Sequence, residues 1–139
     1  MQLVGEFRGL KGEALLKRMR FLKEILLLKD LSEKLAKNIS GGSKRKLCCA
    51  MALLIPPMIL FLDEISNGVD AVARKNLYSY LRSLKTTTTL MITHKIDEAE
   101  RICNNIGLLV GGELLDLGTP QALKGRHGSL YMLQVEAKI

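Results

Sequence analysis

The chain has 139 residues, nearly half of them apolar (47%), a formal net charge of +7 and only 4% aromatic residues. That length suits one modest domain with a real core, not two independent ones. The positive charge admits contact with nucleic acid or anionic headgroups, but the few aromatic residues do not interleave with the basic ones, so stacking platforms are lacking and no nucleic-acid partner is expected.

From Glu13 to Lys29, Leu15, Met19, Leu22 and Leu26 recur at helical spacing with Glu13, Lys17, Arg20 and Glu24 opposite, which predicts an amphipathic helix. A short segment, Leu31 to Lys37, leads to the loop Ser40-Gly41-Gly42. Leu47, Ala50, Met51 and Leu54 then restart the helical period, and Pro56-Pro57 end it. The next apolar runs, Met58 to Leu62 and Thr87 to Thr93, are short and lack polar alternation, which predicts parallel strands buried on both faces. Between them Ala73, Leu77, Leu81 and Leu84 mark a helix, so the unit is β-α-β with a right-handed crossover. Asp97 to Asn104 reads as a further helix, and Ile106 to Val110, Gly111-Gly112 and Glu113 to Leu117 as a hairpin. Thr119 is a candidate N-cap with Pro120 in the first helical position, for a short helix through Lys124. A last strand is expected from Tyr131 to Val135.

The longest apolar stretch, Leu47 to Leu62, is interrupted by prolines and falls short of the roughly 18 residues a membrane span requires. No signal-peptide pattern opens the chain, so a soluble polypeptide is expected. Cys48, Cys49 and Cys103 fit neither a disulfide framework nor a zinc site, which points to a reducing compartment.

In open α/β sheets, ligands bind beyond the carboxyl ends of the strands. Asp63-Glu64 end the first predicted strand and His94 ends the second. Adjacent acids suit phosphoryl transfer, one holding Mg²⁺ and the next orienting or deprotonating water. They equally suit the cap of the next element. The Ser40-Gly41-Gly42 loop before a helix is a ready anion site, or an ordinary N-cap. Lys44, Arg45 and Lys46 then stand in the first helical turn, where they oppose the helix dipole at roughly 0.3–1 kcal/mol each if exposed. A local stability rationale for them is poor, and an outside anion or partner surface is the expected reason. His94 on its own is more often structural, and Asp70 is a candidate N-cap for the helix from Ala71.

The joint order of these motifs resembles the ABC-transporter nucleotide-binding domain. Ile39-Ser40-Gly41-Gly42-Ser43 is similar to the family's signature loop, and Met58 to Glu64 to its Walker B strand. Ser66-Asn67-Gly68-Val69-Asp70 is similar to the D-loop, and Ile92-Thr93-His94 to the switch-histidine loop. Phe7-Arg8-Gly9-Leu10 resembles the start of the helical subdomain, and Leu117-Gly118-Thr119-Pro120 the C-terminal turn. No G-x-x-x-x-G-K-[ST] phosphate loop occurs in the sequence. Ser40 to Leu47 and Leu123 to Gly128 are most similar to the A subfamily, whose members typically move lipids and sterol-like molecules. Ser43 stands where the family usually has glutamine or asparagine. Ile65 stands in place of its usual proline, a change expected to loosen the turn that aims Glu64.

The resemblance implies an α/β fold: part of a P-loop NTPase (RecA-like) sheet of parallel strands, with an α-helical signature subdomain at 1–55, and the catalytic-core half with its C-terminal β-hairpin at 56–139. It implies ATP and Mg²⁺ as cofactors, with Asp63 on the metal, Glu64 polarising the attacking water and His94 on the γ-phosphate. Ser40, Gly41, Gly42 and Ser43 would serve ATP bound to an opposing domain, with Ser66, Gly68 and Asp70 in the D-loop. The implied partners are a second nucleotide-binding domain, head-to-tail, and the transmembrane domains of a transporter, at the cytoplasmic face of a membrane. An ATP-hydrolysing fragment of a lipid-type transporter is the leading expectation, inactive alone because it lacks the phosphate loop. The alternative is a non-catalytic partner completing another subunit's ATP site. A chromosome-type ATPase is disfavoured, because no sustained heptad run is present. On this reading Gly42→Asp weakens ATP-driven dimerisation without altering the fold.

Overall fold

The computed structural model describes residues 1–127, so the strand expected at Tyr131 to Val135 lies outside the described residues. Six helices, α1 (Gln2–Phe7), α2 (Gly12–Ile25), α3 (Gly41–Ala52), α4 (Ala71–Ser83), α5 (Ile96–Ile102) and α6 (Pro120–His127), accompany four strands, β1 (Ile59–Asp63), β2 (Thr88–Ile92), β3 (Ile106–Val110) and β4 (Glu113–Gly118). The chain divides into two compact units, Met1–His94 and a second from Lys95 onward.

In the first unit β1 and β2 pair in parallel, Ile59 opposite Thr88 through Asp63 opposite Ile92, joined by α4. The core is largely leucine. Leu15, Leu22, Leu26, Leu53 and Leu54 are fully buried, with Leu60 and Leu62 from β1 and Leu77 and Leu81 from α4. Full burial of one such side chain stabilises by about 1.5–3 kcal/mol.

The strands differ from expectation in one respect: β1 alternates exposed and buried residues. Leu60 and Leu62 point into the core, while Ile59, Phe61, Leu90 and Ile92 are all more than half exposed. The apolar run reads as doubly buried because parallel strands usually carry helices on both faces. Among the described residues of this unit, helices cover one face.

The main helix of this unit, α2, ends at Ile25, four residues short of the expected end at Lys29. Leu27 takes the left-handed conformation (φ +52°), Leu28 N–H donates to Lys23 O (2.8 Å) and Leu27 N–H to Glu24 O (3.2 Å). This is the Schellman arrangement with leucine where glycine is usual. The left-handed leucine costs roughly 1–2 kcal/mol, offset by burial of its neighbours Leu26 and Leu28. At the other end of this unit, α1 forms where no periodicity announces it. Gly5 packs against Leu15 so closely that a β-carbon there would overlap the leucine side chain.

The second unit is the expected hairpin followed by its capped helix. Gly111 and Gly112, both with positive φ, make the two-residue turn between β3 and β4. A bulge places the extra residue Leu115 on β4. Thr119 Oγ1 accepts from Ala122 N–H (3.2 Å) and so caps α6, which extends to His127 rather than Lys124. Asp116 on β4 receives two hydrogen bonds from the Arg126 guanidinium (2.8 and 2.9 Å), and His127 Nε2 lies 2.6 Å from Asp116 Oδ2. These contacts hold the Asp116 carboxyl far below the usual carboxylate range, the arginine contributing most.

Two outcomes follow from this packing. Leu27→Gly should stabilise the chain by about 1 kcal/mol, seen as a raised midpoint in urea, because it relieves the left-handed leucine while removing a half-exposed side chain. The uncovered face of β1 and β2 should make the chain self-associate. In sedimentation velocity Phe61→Lys should move the distribution toward monomer at unchanged circular dichroism, and an unaltered distribution would exonerate this face.

Candidate functional site

The sequence-predicted residues gather around two adjoining features: the start of α3 and the turn from Glu64 to Asp70 that leaves β1. Ser40 is the N-cap of α3. Its Oγ accepts from Ser43 N–H (3.1 Å) and donates to Ser43 Oγ (2.9 Å), so serine at 43 is used locally. Gly41 faces open space.

Two of the three cations of the first turn, Arg45 and Lys46, have the local rationale that sequence reasoning denied them, while Lys44 is exposed. Lys46 is buried, and its Nζ lies 2.8 Å from Asp70 Oδ2. The Arg45 guanidinium donates to the carbonyl of Asn67. Asp70 is also the N-cap of α4, accepting from Ala73 N–H at 2.8 Å. The bond from Lys46 leads the contacts that hold the Asp70 carboxyl below its ordinary value. An unfavourable dipole position is thus offset by a carboxylate and a carbonyl presented from across the fold.

Gly42 packs directly on the turn, where a β-carbon would sit inside the van der Waals shell of the Gly68 carbonyl. Gly68 has φ +71°, which favours glycine on the other side of the contact as well. The expectation that Gly42→Asp leaves the fold intact is therefore corrected: any side chain at 42 must displace residues 67–69. The smallest anion probe the loop tolerates belongs at Gly41.

Glu64 itself is the strained residue of the site. Its φ is +45°, a conformation costing of order 1–3 kcal/mol in a non-glycine residue. Its backbone N–H extends the parallel ladder to Ile92 O (3.0 Å). Oε1 accepts from the backbone N–H of His94 (3.0 Å) and lies 2.8 Å from His94 Nδ1; Oε2 accepts from Asn67 Nδ2 (3.2 Å). The histidine contact leads the lowering of the Glu64 pKa, so the carboxylate is ionised and aimed. Ile65 stands in a hydrogen-bonded turn. That side chain is buried in the core, and Asn67 N–H to Glu64 O (3.2 Å) and Val69 N–H to Ser66 O (3.1 Å) close the loop.

Asp63 is exposed at the end of β1, next to Glu64. Among the described residues no three metal-ligating side chains cluster. One carboxylate is still enough for Mg²⁺, which keeps most of its water shell and takes its remaining ligands from substrate phosphates. Cys49 of α3 is buried, which pushes its thiol up to about 11.

No family model matches the chain. Curated relatives do: ABC transporter A family member 10 of Arabidopsis thaliana is 34% identical over 97% of this chain. Phospholipid-transporting ATPase ABCA3 of Rattus norvegicus is 41% identical over 81% of it, and Cholesterol transporter ABCA5 of Rattus norvegicus 31% identical over 99%. An ATP-binding subunit of an ABC transporter superposes with TM-score 0.80 at 25% identity, covering 91% of this chain and 53% of that one. The chain is homologous to A-family ABC transporters and folds as part of an ABC ATP-binding subunit. An ATP-bound bacterial Atm1-family ABC exporter shares the fold, with TM-score 0.69 at 22% identity, over 81% of this chain and 22% of its own. The ABC-type chain spans 15%, 7% and 8% of the length of the three named curated relatives. No helix among its described residues is long and apolar enough to cross a membrane.

The residue that sequence reasoning missed in this ABC-type site is Asn67, named within the D-loop but given no role. Its signal was its place three residues after the acid, within reach across a tight turn. Contacts at the start of α3 predict a sharp contrast between adjacent glycines. Gly42→Ala should cost roughly 1–3 kcal/mol through overpacking, whereas Gly41→Ala should be neutral or stabilising by up to about 1 kcal/mol. Urea denaturation of the two variants checks this, and equal midpoints would refute the Gly42–Gly68 packing.

Proposed function

We propose that the chain supplies the Walker B, D-loop, switch-histidine and signature-loop elements of an ATP-hydrolysing ABC domain, one that powers lipid-type transport through transmembrane partner domains at the cytoplasmic face of a membrane. The observation that carries the reading is the Glu64–His94 pair: a strained, ionised carboxylate held at a strand end by a histidine from the neighbouring strand end. On this reading Asp63 holds Mg²⁺, Glu64 orients and polarises the attacking water, and His94 contacts the γ-phosphate. Ser40, Gly41, Gly42 and Ser43 meet the nucleotide of a second, head-to-tail domain, where Gly41 and the helix N-terminus present backbone N–H groups. Ser66, Gly68 and Asp70 form the D-loop beside it. ATP with Mg²⁺ is the implied ligand pair, and the names of the animal relatives favour a phospholipid or sterol as cargo of the complete transporter.

The two halves of this assignment separate experimentally. The site around Glu64 needs a phosphate loop presented to it, and no such motif occurs in the sequence. Incubated alone with Mg-ATP, the chain should release no phosphate above buffer. Turnover abolished by Glu64→Gln would overturn that expectation. The signature loop needs a phosphate loop only on its partner. The chain should therefore co-sediment with an intact ABC nucleotide-binding domain when ATP is present, and Gly41→Asp should remove that association without lowering the denaturation midpoint. Association that persists in Gly41→Asp would leave Ser40 to Ser43 as a helix cap only.

A further inference from the structure

We propose that Asn67 is a positioning residue that fixes the orientation of the Glu64 carboxylate, and that Arg45 of α3 in turn fixes Asn67. The inference deepens the proposed function and rests on its assignment of Glu64.

Three hydrogen bonds converge on residue 67. Its side-chain Nδ2 donates to Glu64 Oε2 (3.2 Å), its backbone N–H donates to Glu64 O (3.2 Å), and its own carbonyl accepts from the Arg45 guanidinium. Glu64 Oε1 is already taken by the backbone and ring of His94. A carboxylate held at one oxygen pivots about that contact, and one held at both does not. Asn67 therefore supplies the second point that defines the plane of the group. Glu64 needs that support because its backbone is left-handed and its side chain stands partly exposed at the strand ends.

Arg45 makes this more than a local turn. It lies 22 residues earlier in the chain, on the helix whose N-terminus is the Ser40–Gly42 loop, and it grips the same peptide from outside. Gly42 against Gly68 and Lys46 against Asp70 flank that grip on either side. The first turn of α3 and the turn after β1 therefore form one rigid piece, whose last member is the Glu64 side chain. Displacing α3 displaces the carboxylate. An anion taken up at the Ser40–Gly42 loop is thereby felt at Glu64 in the same chain, through residues 45 and 67.

The test uses the full chain, isotopically labelled, with no nucleotide. The His94 backbone amide and its ring nitrogens report on the bonds to Glu64 Oε1, which neither Arg45 nor Asn67 touches. Arg45→Ala should shift both signals beyond any change in Lys44→Ala, its exposed neighbour on the same turn, and Arg45→Lys should restore them in part. Asn67→Ala should shift them further, and Asn67→Ser should fall between. If Asn67→Ala does not fold, the Arg45 pair decides alone, because Arg45 is exposed and its loss leaves the core untouched. His94 signals that stay at their wild-type positions in Arg45→Ala would overturn the proposal. Since no ATP is involved, the positioning role stands or falls separately from the co-sedimentation that tests the proposed function.

Discussion

Everything in the first unit is referred to one helix held at both ends. At its N-terminus α3 is fastened by Gly42, Arg45 and Lys46 to the turn that follows β1. At its C-terminus the last carbonyls, which have no partner within a helix, are taken by two arginines. Arg8 donates to Met51, Ala52 and Ile55 O (3.0–3.2 Å), and Arg18 to Leu53 and Leu54 O (2.8–3.2 Å). Arg18 also donates to the Tyr80 hydroxyl and lies over the rings of Phe21 and Tyr80. The helix is thereby tied to α2 and α4 at one end and to the candidate catalytic turn at the other. Cations at a helix C-terminus are favourable; at its N-terminus Lys46 and Arg45 are tolerated because Asp70 and the Asn67 carbonyl face them.

The chemistry of the site follows from the parallel pair that this helix braces. Strand ends in parallel register bring Asp63 beside Ile92, so Glu64, one residue past its strand, and His94, two residues past its own, can meet although 30 positions separate them. Glu64 reaches its partner by turning left-handed. That strain is maintained by ladder and side-chain hydrogen bonds, which is the pattern expected where a backbone distortion serves the placement of one functional group. Asn67 adds a third support from the turn itself.

The same parallel pair shows what the described residues leave undone. One face of the pair packs Leu60 and Leu62 of β1 and Met91 of β2 into the core, and the other presents Ile59, Phe61, Leu90 and Ile92 to solvent. Apolar residues on both faces of a strand belong to a sheet covered on both sides. The chain covers 53% of the ATP-binding subunit that superposes on it.

How much of this was legible in the sequence depends on the range of the forces involved. The β-α-β unit, the Gly111-Gly112 hairpin and the Thr119-Pro120 cap were legible because hydrophobic period, positive-φ glycines and capping chemistry act between neighbours in the chain. The ordered spacing of Ser40 to Ser43, Asp63-Glu64 and His94 was enough to name the family resemblance, since motif order is itself a property of the sequence. What only the tertiary structure decided are the contacts between distant residues. Gly42 against Gly68, Arg45 on Asn67 and the Lys46–Asp70 pair turned an apparently unfavourable basic turn into a structural clamp. Gly5 against Leu15 made a helix of Gln2–Phe7, and burial of Leu26 and Leu28 forced Leu27 into a conformation that its sequence argues against. In each case the deciding energy is packing or pairing across the fold, which no local pattern encodes.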